Sequence, residues 1–326
     1  MRIYRSLAGT PADFGPSVLT IGNFDGVHLG HRRILERAVA LGAERGWKPS
    51  ALTFDPHPTR VVAPERTPRL LTTAERRAEL MAELGIEQVL ILPFTREIAE
   101  LSPEQFARDI VAGKLGAKAV LVGENFHFGR RQSGNVQTLE ALGRQLGFAT
   151  ETIPTAHCRG RTVSSSAIRD ALERGQVALA ARLLQHPYAL DGDVVRGQGI
   201  GSKQTVPTLN LQTAAEVIPA RGVYLTRTCE LAPGLDRQRQ WNSITNVGYR
   251  PTFGAANELT VETFLLDRLE GTPPARIRVE FLCRVRDERK FESPEALKAQ
   301  ILRDVRVAQN YFRRRRLWLT GRLAPA

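Results

Sequence analysis

The decapeptide Gly22-Asn23-Phe24-Asp25-Gly26-Val27-His28-Leu29-Gly30-His31 joins two kinds of sequence. Ahead of it, residues 18–22 form a short apolar run, as expected of a strand buried on both faces of a parallel sheet. Behind it, Ile34, Leu35, Ala38 and Leu41 recur at helical spacing. A strand that feeds a helix through a glycine-containing turn is a phosphate-binding arrangement. Gly22 and Gly30 permit close backbone approach, and the helix start offers unpaired N–H groups and the positive end of the dipole. His28 and His31 add two donors at that entry, able to carry positive charge, which suits a transition state gaining negative charge at an α-phosphate. Zinc is a weaker reading, because the sequence supplies no evident third ligand.

Working outward, similar apolar runs lie at 50–54, 88–92, 119–123 and 150–153, separated by helical patterns. Thr72 with Glu75 and Ser102 with Gln105 have capping-box spacing, and Pro103 occupies the favoured first helical position. A further helix is expected from Ser165 or Ser166 through Leu172. This alternation predicts a doubly wound, Rossmann-like α/β domain over 1–186, with its ligand beyond the carboxyl ends of the strands. After His186-Pro187 the chain turns rich in β-branched residues and glycine, with strand-like stretches near 189–196, 223–230, 242–247, 258–267 and 276–286. These predict a small antiparallel β-barrel or sandwich. One closing helix follows, capped by Ser293 and striped by Leu297, Ile301, Val305, Ala308 and Phe312, which ends the second domain at 187–312. Residues 313–326 read as a frayed basic tail.

The 326 residues carry a formal net charge of +12, which raises the question of nucleic acid. Arg313, Arg314, Arg315, Arg316 and Arg322 supply five of those charges from the tail, outside every motif. Apart from Trp318, no exposed aromatics are expected to interleave with them, so stacking on single strands has little support. No nucleic-acid partner is expected, and anionic small molecules suit the charge. No run reaches the ~18 apolar residues of a membrane span, and no apolar stretch follows Arg2 and Arg5 as in a secretory signal. Cys158, Cys229 and Cys283 are odd in number and far apart, which favours a reducing cytoplasm over a disulfide framework. Homo-oligomerisation is left open.

The His28-Leu29-Gly30-His31 string resembles the H-x-G-H signature of nucleotidyltransferases. The whole segment 22–31 resembles the N-terminal module of bacterial bifunctional riboflavin kinase/FAD synthetases. The resemblance continues through Phe54-Asp55-Pro56-His57-Pro58, Gly123-Glu124-Asn125-Phe126-His127-Phe128-Gly129 and Val163-Ser164-Ser165-Ser166-Ala167-Ile168-Arg169, in order over 1–312. It implies that His28 and His31 bind ATP phosphates while the phosphate of FMN attacks and pyrophosphate leaves. It further implies nucleotide or flavin contacts from Gly22, Phe24, Asp25, Gly30, Asn125, Arg161, Ser164, Ser165 and Arg169. For Asp25 the sequence leaves two roles open: positioning Mg²⁺ or stabilising its own tight turn.

In the second domain, Gly197-Gln198-Gly199-Ile200-Gly201-Ser202-Lys203 is neither a Walker A motif nor a dinucleotide fingerprint, since Lys203 and Ser202 stand where those motifs need other residues. Gly199 and Gly201 suit a flap over phosphates or a plain turn. Pro207-Thr208-Leu209-Asn210 resembles the P-T-x-N motif of riboflavin kinases, which implies Mg²⁺ held by Thr208 and Asn210, both hard oxygen ligands. The same resemblance makes Arg250 a ligand contact and Glu262 the base for the ribityl hydroxyl. Two positions depart from it. Gln204-Thr205-Val206 replaces the usual Leu-Gly-Phe, and Phe264 stands where a histidine usually follows the glutamate. The rival readings are a different H-x-G-H transferase without flavin turnover and a basic nucleic-acid-binding protein. In the first, Thr208, Asn210 and Glu262 are dispensable; in the second, binding is salt-sensitive and lost with the tail.

Overall fold

Residues 1–195, 208–232, 239–250, 258–289 and 291–319 are described by this computed structural model. They form two compact units, Met1–Ala167 and Ile168–Ala326. The segment 168–186, assigned by sequence to the first domain, groups with the second unit.

The first unit is built on a parallel sheet of six strands: β1 (Arg2–Tyr4), β2 (Ser17–Ile21), β3 (Lys48–Asp55), β4 (Gln88–Pro93), β5 (Ala117–Gly123) and β6 (Ala149–Ile153). Their spatial order is β1-β4-β3-β2-β5-β6. The five expected strands are present. β1, three residues long, escaped detection because so short a segment shows no periodicity. Every residue of β2 is buried, as a central strand covered on both faces requires. Helix α1 (Leu29–Arg45) packs on one face through Ile34, Leu35, Ala38 and Leu41. On the other face lies a cluster around Leu19, Leu52, Val120 and Phe128, closed by Phe106, Ile110 and Val111 of a π-wound segment, Phe106–Lys114. The chain leaves β2 towards β3 on one side, while β5 adds on the other. The strand order therefore reverses between β2 and β5, and this is where such sheets bind ligands.

A small hairpin, β7 (His157–Cys158) and β8 (Arg161–Thr162), follows β6. The second unit holds β9 (Tyr188–Val195), β10 (Thr208–Gln212), β11 (Gly222–Glu230), β12 (Gln240–Arg250), β13 (Glu258–Leu265) and β14 (Arg276–Arg286). They close into an antiparallel barrel in the order β10-β13-β12-β11-β14-β9. β10 was known from sequence only as a motif, too short to stand out as a strand. The barrel interior is partly polar. Thr228, Ser243, Thr226, Thr245 and Thr263 are fully buried and joined hydroxyl to hydroxyl at 2.7–2.9 Å.

The closing helix, Pro294–Leu319, starts at Ser293, whose Oγ accepts from the Ala296 N–H at 3.2 Å. Val305, Ala308, Tyr311 and Phe312 pack on Val223, Leu225 and Ile244 of the barrel's outer face. Two expectations are corrected here. Leu297 is 41% exposed rather than part of the stripe, because only the later turns meet the barrel. The arginine run is helical through Leu319 rather than frayed: it continues a helix already nucleated and anchored by tertiary packing. The anchor includes Asp304, 4% exposed, whose carboxylate accepts from Arg286 at 2.8 and 3.0 Å and from Gln300 at 2.7 Å. Asp304→Ala leaves a largely buried guanidinium without its partner and should cost roughly 3 kcal/mol. Chemical denaturation of the two proteins measures this, and a loss below about 1 kcal/mol rejects the anchor.

Candidate active sites

In the first unit, the loop after β2 and the loop after β5 occupy the point of strand reversal. His28 is the N-cap of α1, and its Nδ1 accepts from the His31 N–H at 3.4 Å. That bond leaves the Nε2 of a neutral His28 as the proton carrier, free to donate. The two imidazoles stack at 3.6 Å with 13° between their planes. Gly30 is needed for this arrangement: a Cβ there would meet the His28 ring at 3.2 Å. The first turn of α1 contains no acidic residue, so nothing there opposes an anion.

The sequence left these histidines able to carry positive charge, and burial in the fold disfavours it. Burial pulls the pKa of His28 down to about 4. His31 is lowered well below its usual range by burial and by the charges of His28 and Arg77. At neutral pH both are uncharged donors. The folded protein thus binds fewer protons here than the unfolded chain between about pH 4 and 6.5, and stability should fall as pH drops through that window. At about 1.4 kcal/mol per unit, the His28 contribution over that window is about 3.5 kcal/mol. Denaturation at pH 7 and pH 4.5 should show a smaller acid loss for His28→Gln than for the parent. Equal losses would contradict the assignment.

The loop is tied to its surroundings. Oδ1 of Asp25 accepts from the N–H groups of Leu71 (2.8 Å) and Thr72 (3.1 Å), and the Asp25 carbonyl accepts from Ser165 Oγ at 2.9 Å. Of the two roles left open for Asp25, the bonding observed is that of a loop clasp. Phe24, expected among ligand contacts, is 1% exposed; its ring sits in the core edge-on to His31. Gly22 gives that ring room, since a Cβ would lie 3.2 Å from it. A third histidine, His57, meets the Asn23 amide at 3.0 Å from the end of β3. Asn125, on the loop after β5, is exposed and donates to Thr155 Oγ1 at 3.4 Å. Thr155 in turn bonds Glu124. Ser164 Oγ caps the helix Ser165–Glu173 through the Ala167 N–H at 3.2 Å. Arg169 follows Ser165 by one turn of that helix. Arg161 lies exposed on the second strand of a small hairpin, β7 (His157–Cys158) and β8 (Arg161–Thr162), which the sequence did not reveal.

In the barrel, strand register aligns a polar row on the outer face. Asn210 of β10 stands opposite Glu262 of β13, and Glu262 stands opposite Asn246 of β12. Cross-strand neighbours of this kind have Cβ atoms roughly 5 Å apart. Thr208 lies on the same face two residues before Asn210, opposite Phe264. Its hydroxyl is buried with no hydrogen-bond partner among the described residues. Asn246 is not among the residues singled out from sequence; only the register reveals it as a neighbour of Glu262. Gly199, Gly201 and Gln204-Thr205-Val206 lie outside the described residues, as does the side chain of Arg250.

The family model for FAD synthetase matches residues 10–167, and that for riboflavin kinase matches residues 184–312. The chain is 34% identical over 295 residues to the bifunctional riboflavin kinase/FMN adenylyltransferase of Escherichia coli (strain K12), covering 90% of this chain and 92% of that one. With the protein of the same description from Pseudomonas fluorescens it shares 35% over 309 residues, 95% of this chain and 97% of the relative. The chain belongs to the bifunctional riboflavin kinase/FMN adenylyltransferase family. A crystal structure described as a macrolide-efflux protein from Streptococcus pneumoniae superposes with a TM-score of 0.81 at 24% identity, covering 94% of this chain and 98% of that one. That likeness concerns the fold. The order of the family's two domains, FAD synthetase then riboflavin kinase, is the order read from the motifs.

Proposed function

We propose that this chain makes FAD in two ATP-dependent steps, one in each domain. In the barrel, Glu262 takes the proton of the ribityl 5′-hydroxyl of riboflavin as that oxygen attacks the γ-phosphorus of ATP; ADP leaves and FMN forms. In the parallel-sheet domain, a phosphate oxygen of FMN attacks the α-phosphorus of a second ATP. The bond to the β-phosphate breaks, pyrophosphate departs and FAD forms. No protein nucleophile is required, since the attacking phosphate is already anionic.

The observation that carries this reading is the stacked His28–His31 pair at the α1 N-terminus, set at the strand reversal. Two neutral N–H donors and a helix dipole suit a triphosphate gaining charge. Gly22, Gly30, Asp25 and Phe24 shape that loop, with Phe24 acting through His31. Asn125, Arg161, Ser164, Ser165 and Arg169 supply further contacts to phosphate and flavin.

In the barrel, the orphaned Thr208 hydroxyl beside Asn210 fits a hard divalent cation such as Mg²⁺. When bound, that ion would neutralise phosphate charge and orient the γ-phosphoryl group. Arg250, Gly199 and Gly201 complete the assigned contacts. Small anionic molecules account for the basic character without nucleic acid. Among the described residues no helix is long and apolar enough to cross a membrane. Three free cysteines suit the cytoplasm.

Incubation with riboflavin, ATP and Mg²⁺, followed by chromatography of the flavins, tests the reading directly. FMN and then FAD are expected; unchanged riboflavin overturns it.

A further inference from the structure

Arg77, in the helix Ala74–Glu83, is the largest fully buried side chain among the described residues, 1% exposed. Its Nη1 donates to the Asn23 carbonyl at 2.6 Å and to Thr53 Oγ1 at 3.1 Å; its Nη2 donates to the Phe54 carbonyl at 3.2 Å. Its Nε is buried without a partner. Among the described residues no carboxylate forms an ion pair with it, and Asp25, Asp55 and Glu75 act on it only at a distance. A guanidinium removed from water without a paired anion costs several kcal/mol, so the fold keeps an expensive cation directly beneath the 22–31 loop.

That loop is strained. Phe24 has φ 50° and Val27 has φ 41°, left-handed values that a β-branched valine rarely adopts. Such residues cost about 1–3 kcal/mol each and persist only where the surroundings over-determine them. Among the ties that do so here, with Thr53 Oγ1 on the Asn23 carbonyl and Ser165 Oγ on the Asp25 carbonyl, are two charged side chains. The Asp25 carboxylate holds the backbone at Leu71 and Thr72, and Arg77 holds the carbonyl of Asn23, which precedes Phe24 directly. Phe24 in turn presses its ring edge on His31, at 5.2 Å between centroids.

We infer that Arg77 is a positioning residue for adenylyl transfer: it fixes the strained loop so that the His28–His31 stack meets the triphosphate, and it sets a permanent positive charge behind that stack. The inference rests on the FMN-adenylylating role proposed above. His31 is faced by His28 and Arg77, both of which lower its pKa. Loss of the Arg77 charge should therefore let it protonate at higher pH.

The full chain is assayed with FMN, ATP and Mg²⁺ as the parent, Arg77→Met and Arg77→Lys. Arg77→Met should lower kcat about 100-fold, the scale of an ångström of misplacement, and raise the KM for ATP. It should also move the acidic limb of the pH profile upward. Arg77→Lys, which keeps the charge and can reach the same carbonyls, should restore most of kcat and the parent pH profile. Riboflavin phosphorylation in the other domain serves as control and should be unchanged in both. Parent-like kcat and KM in Arg77→Met overturn the inference, as does a lysine variant no better than methionine. Should the methionine variant not fold, Thr53→Val removes one link of the clamp and leaves the charge; it should lower kcat with no change in the pH limb, and an unchanged kcat rejects the positioning role. A parent enzyme that makes no FAD from FMN fails the underlying reading instead.

Discussion

An enzyme carrying both His28→Ala and His31→Ala should convert riboflavin to FMN and stop there. The pair lies at 3.6 Å in a stack, so removing both takes away two donors at once and also the N-cap of α1. Loss of a single preorganised donor to a developing charge typically costs about 10²–10³ in rate; the double loss should bring FAD formation to background. The barrel is a separate compact unit, and its output of FMN should persist. Chromatography of a riboflavin incubation reads both results from one sample. FAD formed at the parent rate would remove the histidines from the mechanism. Loss of FMN as well would point to general unfolding, which a thermal melt would detect.

The complementary result is expected from Glu262→Gln. Glutamine keeps the size and a hydrogen-bonding carbonyl but cannot accept a proton. Riboflavin phosphorylation should fall by about 10²–10⁴, the usual contribution of a general base. Conversion of supplied FMN to FAD should proceed normally. The case for Glu262 rests on register. It stands opposite both Asn210 and Asn246, on the face that also carries the orphaned Thr208 hydroxyl. A glutamate that merely decorated a strand would tolerate the change. Normal phosphorylation by Glu262→Gln would therefore remove it as the base.

Much of this organisation was legible in the residues. The alternation of buried strands and amphipathic helices specified the first unit because parallel strands covered on both faces show as continuous apolar runs. His28, His31 and Gly30 could be singled out because a strand, a glycine turn and a helix follow each other within one short segment. Local patterns were silent about contacts distant in sequence. Arg77 reads as one charge on an amphipathic helix, and only the fold carries it under Asn23. Asn246 reads as part of a β-strand, and only pairing sets it beside Glu262. The charge state of the histidines stayed open for the same reason: sequence shows which groups titrate, not how far they are withdrawn from water. The arginine run looked frayed because like charges repel, yet packing of the preceding turns carries the helix through it.

The buried hydroxyls of the barrel carry one more consequence. Thr228, Ser243, Thr226, Thr245 and Thr263 form an unbroken relay of oxygens across β11, β12 and β13. Each hydroxyl has one hydrogen to give, so the orientation of one constrains its neighbours. Ser243 Oγ also reaches the Thr226 carbonyl as a donor at 3.1 Å, which gives the relay an outlet at that point, and changing one residue redirects the hydroxyls next to it. Substitutions there are coupled: threonine to valine at one site strands a neighbour, whereas exchanging adjacent members together costs less than the two single changes summed.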